Sequence, residues 1–250
     1  MRHAVNTESH THPIEYWADL AGKVDAYPWE DLYTSLLWKL DECVPFTLAR
    51  YGDGEWAAIF GERGVNCDGH PYYAAMGAAL IDALNAPEYL LGVQWLNMKA
   101  NGSRVAKWLS QRQLRMPWVN GEVFHGASKA RQLHRLVECL IRRRVIVVAK
   151  DGLDKLPFPH VFIQVPATDV WAEVESIGEQ VLNFVNRGDY HPVVLYSASM
   201  AAEVIIDRVF NESDNPVTQI DMGSVWDPYL GIQTRRYHKG LDVSIEDLVS

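Results

Sequence analysis

Two acidic residues flanked by glycines form the part of this sequence whose residue types point most directly to chemistry. The run is Arg50-Tyr51-Gly52-Asp53-Gly54-Glu55. Divalent cations bind carboxylate oxygens and keep positions open for phosphate oxygens, so Asp53 and Glu55 could share one ion if the turn is tight. Gly52 and Gly54 would let the backbone turn sharply and approach a ligand. Arg50 adds a forked donor suited to a diphosphate or to a carboxylate. The alternative is a charged loop with a helix cap.

A second candidate segment is Tyr196-Ser197-Ala198-Ser199-Met200, between a predicted strand and a predicted helix. Free backbone N–H groups and the helix dipole at such a helix start attract anions. Ser197 and Ser199 could therefore contact a phosphate or a sugar hydroxyl of a donor substrate. An ordinary serine cap of the helix would explain the same residues.

A third candidate segment, residues 221–229, follows the last predicted strand and is rich in acids and aromatic residues. Trp226 and Tyr229 could flank a base or a sugar. Asp227 could accept a proton as a general base. A packed loop in which Asp227 caps a turn before Pro228 is the alternative.

Charged residues near these segments extend the candidate site. Arg235 and Arg236 could close over the phosphates of a bound nucleotide. Lys150 and Asp151 follow another predicted strand and could line the nucleotide. His125 also follows a strand, where it could carry a proton or donate a structural hydrogen bond.

Strand-like and helix-like segments alternate along the chain, which predicts right-handed crossovers and a mainly parallel sheet covered on both faces. We therefore predict an α/β, Rossmann-like fold in a single domain over residues 14–250, after a flexible N-terminal tail at 1–13. Ligands of such sheets bind beyond the carboxyl ends of the strands. The predicted strands are 46–50, 89–94, 118–124, 145–149, 160–165, 193–196 and 218–220. The predicted helices are 28–43, 56–60, 71–85 capped by Asp68, 103–114, 128–143 capped by Ser128, 171–186 and a last one ending at 210.

Composition excludes several classes of protein. No apolar run is long enough to span a membrane, no secretory signal is recognisable, and the cysteines Cys43, Cys67 and Cys139 show no metal or disulfide spacing. We expect a cytoplasmic protein with reduced thiols. The sequence contains no GxxxxGK[ST], GxGxxG or HExxH motif, which argues against common NTPases, dinucleotide enzymes and zincins.

Charge is distributed unevenly along the chain. Residues 99–150 contain twelve Lys or Arg and two acids, a net +10, so the remainder of this chain of net charge −9 carries −19. Such a basic stretch is typical of a surface that binds nucleic acid. Alternatively, Arg142, Arg143 and Arg144 are the solvated end of a helix, where cations interact favourably with the helix dipole.

The run from Arg50 to Glu55 resembles the Arg-Phe-Gly-Asp-Gly-Glu signature of GT-D-type glycosyltransferases, with Tyr51 in place of phenylalanine. Weaker similarity continues in Ser197-Ala198-Ser199-Met200 and Ile220-Asp221-Met222-Gly223-Ser224, so the resemblance spans about residues 46–230. It implies that Asp53 and Glu55 bind a divalent metal and a nucleoside-diphosphate sugar. The resemblance does not identify the general base or the acceptor.

These observations together predict a glycosyltransferase that uses Mn²⁺ or Mg²⁺ and a nucleoside-diphosphate sugar. Asp227 would be the base, and Arg235 and the two serines would contact the donor during direct, inverting transfer. The acceptor would be a glycan, a protein, a small molecule or a hydroxylated base in DNA, as in viral DNA. A metal-dependent phosphoesterase and a non-catalytic nucleotide-binding module are the alternatives.

Overall fold

The fold is a seven-stranded parallel sheet with helices on both faces, as the sequence predicts. The computed structural model describes residues 7–66, 69–85, 88–188, 191–232, 235, 238 and 240–249. The strands are β1 (Thr47–Tyr51), β2 (Leu90–Val93), β3 (Trp118–Asn120), β4 (Val145–Ala149), β5 (His160–Gln164), β6 (Val193–Ser197) and β7 (Thr218–Asp221). They lie in the order β3-β2-β1-β7-β6-β4-β5.

Helices bury the sheet on both sides, which explains why strands such as β4 are apolar along their whole length. The helices are α1 (Ile14–Ala21), α2 (Glu30–Asp41), α3 (Asp53–Ile59), α4 (Ala74–Ala83), α5 (Trp95–Gln111), α6 (Val123–Lys129), α7 (His134–Leu140), α8 (Val174–Val185) and α9 (Ala202–Glu212). On one face, α1, α3, α4, α5, α8 and α9 contribute to a first core. On the other face, α2, α6 and α7 form a second core. Within the described residues, no helix combines the length and the apolar character needed to cross a bilayer.

Several predicted element boundaries are wrong, and each has a local cause. The strand predicted through residue 124 ends at Asn120, whose side-chain oxygen accepts the Glu122 N–H at 2.8 Å and turns the chain into α6. The single helix predicted over 128–143 is two helices, because Arg131 adopts a left-handed conformation (φ 57°) between α6 and α7. Ser128, the predicted cap, is a buried residue inside α6.

Two predicted helices begin elsewhere than expected. The segment predicted over 103–114 is helical from Trp95 onward, as α5. The helix predicted from residue 71 begins at Ala74, with Tyr73 as its N-terminal cap residue. Its predicted cap, Asp68, lies outside the described residues.

The described part of the predicted N-terminal tail is joined to the edge of the sheet. Residues Thr7–His10 form a short 3₁₀ helix. His12 then pairs with Trp118 of β3, since each backbone N–H donates to the other residue's carbonyl, at 2.8 and 2.7 Å. The Trp17 indole N–H donates to the same Trp118 carbonyl at 3.0 Å. His12 and the first half of α1 therefore cover the start of β3 at the edge of the sheet.

A crevice is expected at the carboxyl ends of β1 and β7, because the chain leaves these neighbouring strands toward opposite faces. After β1 it enters α3, whose Trp56 belongs to the first core. After β7 it enters a segment whose Met222 and Val225 belong to the second core. Such a reversal is called a topological switch point, and open α/β sheets bind their ligands there.

Candidate active site

A buried ion pair joins β1 to β7 at this switch point. The Arg50 Nε donates to Asp221 Oδ2 at 2.7 Å, and both side chains are only 7% exposed. The Arg50 Nη1 lies 3.2 Å from His125 Nδ1 on α6 and 3.4 Å from the Gly121 carbonyl oxygen. The sequence suggested that Arg50 binds either a diphosphate or a carboxylate. In the structure it binds a carboxylate, that of Asp221.

Gly223 closes the turn after β7 around this pair. Its backbone N–H donates to Asp221 Oδ1 at 2.8 Å, so both oxygens of that carboxylate have protein donors. Gly223 has a φ of +53°, and a Cβ at this position would lie 2.0 Å from Arg50 Nη2. A residue without a side chain is therefore required, both by the backbone conformation and by the close approach of the guanidinium.

The two carboxylates of the Asp-x-Glu run lie in the first turn of α3 and not in a loop. Asp53 is the first helical residue and is exposed. Glu55 turns back toward the start of the helix, where its Oε2 accepts the Gly52 N–H at 2.7 Å. Helix positions two apart do not face each other, so the predicted convergence of both acids through a tight turn is wrong. In the part of the chain that the structure describes, no group of three or more His, Cys, Asp or Glu residues could hold a metal.

Gly52 and Gly54 make room for neighbouring side chains, which corrects the prediction of a sharp turn. Neither residue has a positive φ. A Cβ on Gly52 would lie 2.5 Å from the Gln94 side-chain oxygen, and a Cβ on Gly54 would lie 2.8 Å from the Met200 sulfur. The glycines thus let the loops after β2 and β6 pack against the start of α3, and the space beside them holds protein side chains.

Glu203 is a buried acid of this site that the sequence analysis missed. It lies in the first turn of α9, is 1% exposed, and its Oε2 has no hydrogen-bond partner among the described residues. Burial, followed by the nearby charges of Asp221 and Glu55, raises the pKa of Glu203 well above its ordinary value. Burial also raises the pKa of Glu55 to about 7. The sequence feature that could have indicated a buried acid is the position of Glu203 inside the apolar run at residues 200–206.

The predicted serines lie at the end of β6. Ser197 is the last residue of that strand, and Ser199 begins a single 3₁₀ turn that precedes α9. The Ser199 hydroxyl accepts a hydrogen bond from Asn66 Nδ2 at 2.9 Å. Ser199 has a φ of +54°, an uncommon conformation for a residue other than glycine. The loop after β6 is thus tied to the segment that follows α3.

Asp227 lies on the second face, beyond the carboxyl end of β4. It is 2% exposed, and its Oδ2 is 3.4 Å from the Nζ of Lys150, a side chain that is 33% exposed. Trp226 and Tyr229 are buried in the second core. The suggestion that these two aromatic residues flank a base or a sugar is therefore wrong, because their rings are used for packing.

His125 and Arg235 lie on the same side of the site. Burial, and then the charge of Arg50, lowers the pKa of His125 well below its ordinary value, with a smaller contribution from Arg235. A neutral imidazole thus faces the guanidinium of Arg50. Arg235 is half-buried. Arg236 lies outside the described residues.

The basic residues of 99–150 are dispersed over the molecule. Arg142, Arg143 and Arg144 precede β4, so they lie at the amino edge of the sheet, opposite the switch point. Arg142 pairs with Asp41, and the other two donate to backbone carbonyls. Arg104 pairs with Glu62 on the surface. Lys150 is at the carboxyl edge, beside Asp227.

Three solved structures share this fold. Two are structures of domain of unknown function 1792, one of them selenomethionine-substituted and the other described as having a distinct glycosyltransferase fold. Each is 12% identical to this chain, with a TM-score of 0.56 over 85% of this chain and 82% of the other. The third is a glycosyltransferase with the same domain from Streptococcus sanguinis, at 15% identity and a TM-score of 0.56 over 85% of this chain and 92% of the other. No family model and no curated protein matches the sequence. At these identities the likeness confirms the predicted fold.

Proposed function

We propose that this protein is a glycosyltransferase that moves a sugar from a nucleoside-diphosphate sugar to an acceptor hydroxyl. The observation that carries the proposal is the position of Asp53. This exposed acid begins α3 directly after β1, where the neighbouring loops leave toward opposite faces and ligands of α/β sheets bind. The fold shared with the Streptococcus sanguinis glycosyltransferase supports the same activity.

Asp53 is the accessible carboxylate for a divalent ion, and Glu55 holds the first turn of α3 through Gly52. One or two carboxylates with substrate phosphates are a usual ligand set for Mg²⁺, so Asp53 fits as the protein ligand of an ion that binds together with the donor. When bound, Mn²⁺ or Mg²⁺ would neutralise the charge that develops on the diphosphate leaving group. The Ser197 and Ser199 hydroxyls and the Arg235 guanidinium are the proposed donor contacts.

Proton transfer is assigned to the loops after β4 and β7. The acceptor oxygen attacks the anomeric carbon, the bond to the diphosphate breaks, and the acceptor proton passes to Asp227, with inversion. Asp227 is buried and its Oδ2 lies 3.4 Å from the Lys150 Nζ, so neighbouring side chains must move before the acceptor can reach it. The anionic donor would attract the Lys150 ammonium away from Asp227. Asp151, which is exposed next to Lys150, is the alternative base.

A glycan, protein or small-molecule acceptor is favoured over a base in DNA. The arginines at the amino edge of the sheet lie opposite the switch point and donate to Asp41 or to carbonyls. These three arginines therefore contribute no basic surface beside Asp53, and Lys150 at the carboxyl edge pairs with Asp227. Cys43 and Cys139 are free thiols, which is consistent with the cytoplasmic location that we propose.

The test is a screen of nucleoside-diphosphate sugars for donor cleavage, with and without Mn²⁺. We expect metal-dependent cleavage of one donor and its loss in Asp53→Asn by about 10²-fold or more. Asp82→Asn, which alters an exposed acid on α4, is the matched control. Cleavage of simple phosphomonoesters would favour a phosphoesterase, and nucleotide binding without turnover would favour a binding module. Full activity of Asp53→Asn at saturating metal would refute the assigned role.

A further inference from the structure

A cavity of about 310 Å³ lies beyond the end of β3, between the N-terminal segment and the start of α2. Its volume is within the range of small-ligand sites. It is lined by aromatic residues of the N-terminal segment, by Trp29, by two acids at the start of α2 and by Asn120. The cavity is distinct from the Arg50–Asp221 pair but adjoins it through one segment: Asn120 lines the cavity, and the next residue, Gly121, contacts Arg50 through its carbonyl.

Aromatic rings form much of the cavity wall. The rings of His12 and Tyr16 are 4.0 Å apart and tilted by 31°, and Tyr16 stands edge-on to Trp17 at 5.3 Å. Tyr16 is 41% exposed, so part of its surface is open to a ligand. Trp29 is held against Gly126 of α6, where a Cβ would lie 2.4 Å from the indole. Rigid aromatic surfaces with polar tips suit the apolar faces of sugar rings.

The charge of the cavity selects the class of ligand. Glu30 and Asp31, both exposed at the start of α2, line it. The histidines His10 and His12 also line it. The two exposed carboxylates disfavour a diphosphate, and therefore the nucleotide donor, whereas they accept hydrogen bonds from hydroxyl groups. The Asn120 amide is already used, because it donates to the Pro28 carbonyl and accepts the Glu122 N–H, both at 2.8 Å. Asn120 therefore forms part of the wall. The Glu30 Oε2 accepts the Trp29 N–H at 3.1 Å, so Asp31 and the second oxygen of Glu30 are the carboxylate groups that would contact the ligand.

We infer that this cavity binds a neutral saccharide, as a subsite for the part of the acceptor that lies beyond the reacting hydroxyl. The inference rests on the proposed glycosyltransferase function. The stacked rings supply a platform, the two carboxylates supply hydroxyl acceptors, and residues 120–126 place the subsite next to the switch point. A glycan acceptor is thereby favoured over a protein or small-molecule acceptor.

Glucose, N-acetylglucosamine and maltose serve as probes, with binding followed by saturation-transfer NMR and by tryptophan fluorescence. We expect at least one probe to bind, and Tyr16→Ala and Asp31→Asn each to weaken its binding about tenfold or more. Glu42→Gln at the other end of α2 and Leu96→Ala on α5, both exposed positions outside the cavity, should leave binding unchanged. Tyr16→Ala and Asp31→Asn change different kinds of side chain, so the test remains valid if one of the two variants misfolds.

Binding of a nucleoside diphosphate with Mn²⁺ is measured in parallel and should be unchanged in both cavity variants. If no probe binds the wild-type protein, or if both variants keep its saccharide affinity, the subsite is refuted even when the nucleotide binds normally. If saccharides bind as expected while no nucleotide binds, the proposed transferase function fails and the saccharide site stands. The two failures are therefore distinguishable.

Discussion

Replacing Arg50 by methionine removes the cation of the buried cluster while keeping much of the side-chain volume. Asp221 would lose the donor that lies 2.7 Å from its Oδ2. Three buried or half-buried carboxyl groups, those of Glu55, Glu203 and Asp221, would then lie together without a guanidinium. Removing one partner of a buried ion pair leaves an uncompensated charge and costs about 3–5 kcal/mol. We expect a loss of this size at about pH 8.

The loss should be smaller at acidic pH, and the sign follows from the raised pKa values. A carboxyl group whose pKa is raised by folding makes the folded state bind more protons than the unfolded chain. Its contribution to stability is present below the unfolded pKa of about 4.3 and is lost as the pH rises through the folded pKa. The charge of Arg50 lowers the pKa of Glu203. Removing Arg50 therefore raises that pKa further and widens the pH range between the unfolded and the folded pKa, over which stability is lost. At about pH 5 Glu55 and Glu203 of the variant, whose pKa values are raised, can take up protons, which relieves the repulsion.

The assay is urea-induced unfolding of the wild-type protein and Arg50→Met at about pH 5 and about pH 8. The destabilisation should be at least about 1 kcal/mol larger at the higher pH. Arg142→Met is the matched control, because its pair with Asp41 is exposed by 63% and 46% and should contribute less than about 1 kcal/mol at either pH. Equal destabilisation by Arg50→Met at both pH values would show that the acids are not electrostatically coupled to Arg50, and the reasoning would fail.

Three further predictions concern the turn after β7, the proposed base and the acceptor. Gly223→Ala should be more destabilising in urea than Gly231→Ala by at least about 1 kcal/mol, because both glycines have positive φ but only at Gly223 would the new Cβ meet Arg50; equal losses would contradict the described clash. Asp227→Asn should slow transfer by about 10²-fold or more with little change in donor affinity, and Asp151→Asn is the paired comparison in the same kinetic assay; unchanged turnover of Asp227→Asn would move the base elsewhere. Retention on plain and hydroxymethylated DNA should be weak, with a shallow dependence on salt and no sugar transfer; steep salt dependence together with transfer would reverse our choice of acceptor.

The sheet could be predicted from the sequence more accurately than the site. Buried parallel strands such as Val145–Ala149 are apolar runs between turn signals, so six of the seven predicted strands agree with the structure to within one residue at each end, whereas the third is predicted four residues too long. The start of α3 depends on one side-chain contact, from Glu55 to the Gly52 N–H. That contact separates the two acids. Its local signal is the spacing of a capping box, with Glu55 three residues after Gly52, and it corresponds to the helix cap that the sequence allowed as the alternative. The pairing of Arg50 with Asp221 spans 171 residues and becomes visible only when β1 and β7 are neighbours.

Glu203 illustrates a different limit of the sequence. An acid in the first turn of a helix is ordinarily a favourable surface residue that complements the helix dipole. Whether it is buried depends on which elements cover that turn, and here they bring it close to Glu55 and Asp221. The apolar neighbours of Glu203 in the sequence were the available indication.

The backbone pairing of His12 with Trp118 also protects the protein from self-association. β3 lies at one end of the sheet, and an uncovered edge strand can recruit a strand from another molecule. Because His12 bonds to both the N–H and the carbonyl of Trp118, the peptide groups of the first residue of this three-residue edge strand are already occupied. Shortening the chain past His12 would leave these groups of Trp118 without their backbone partner, and we expect the shortened protein to pair through this edge and to aggregate more readily.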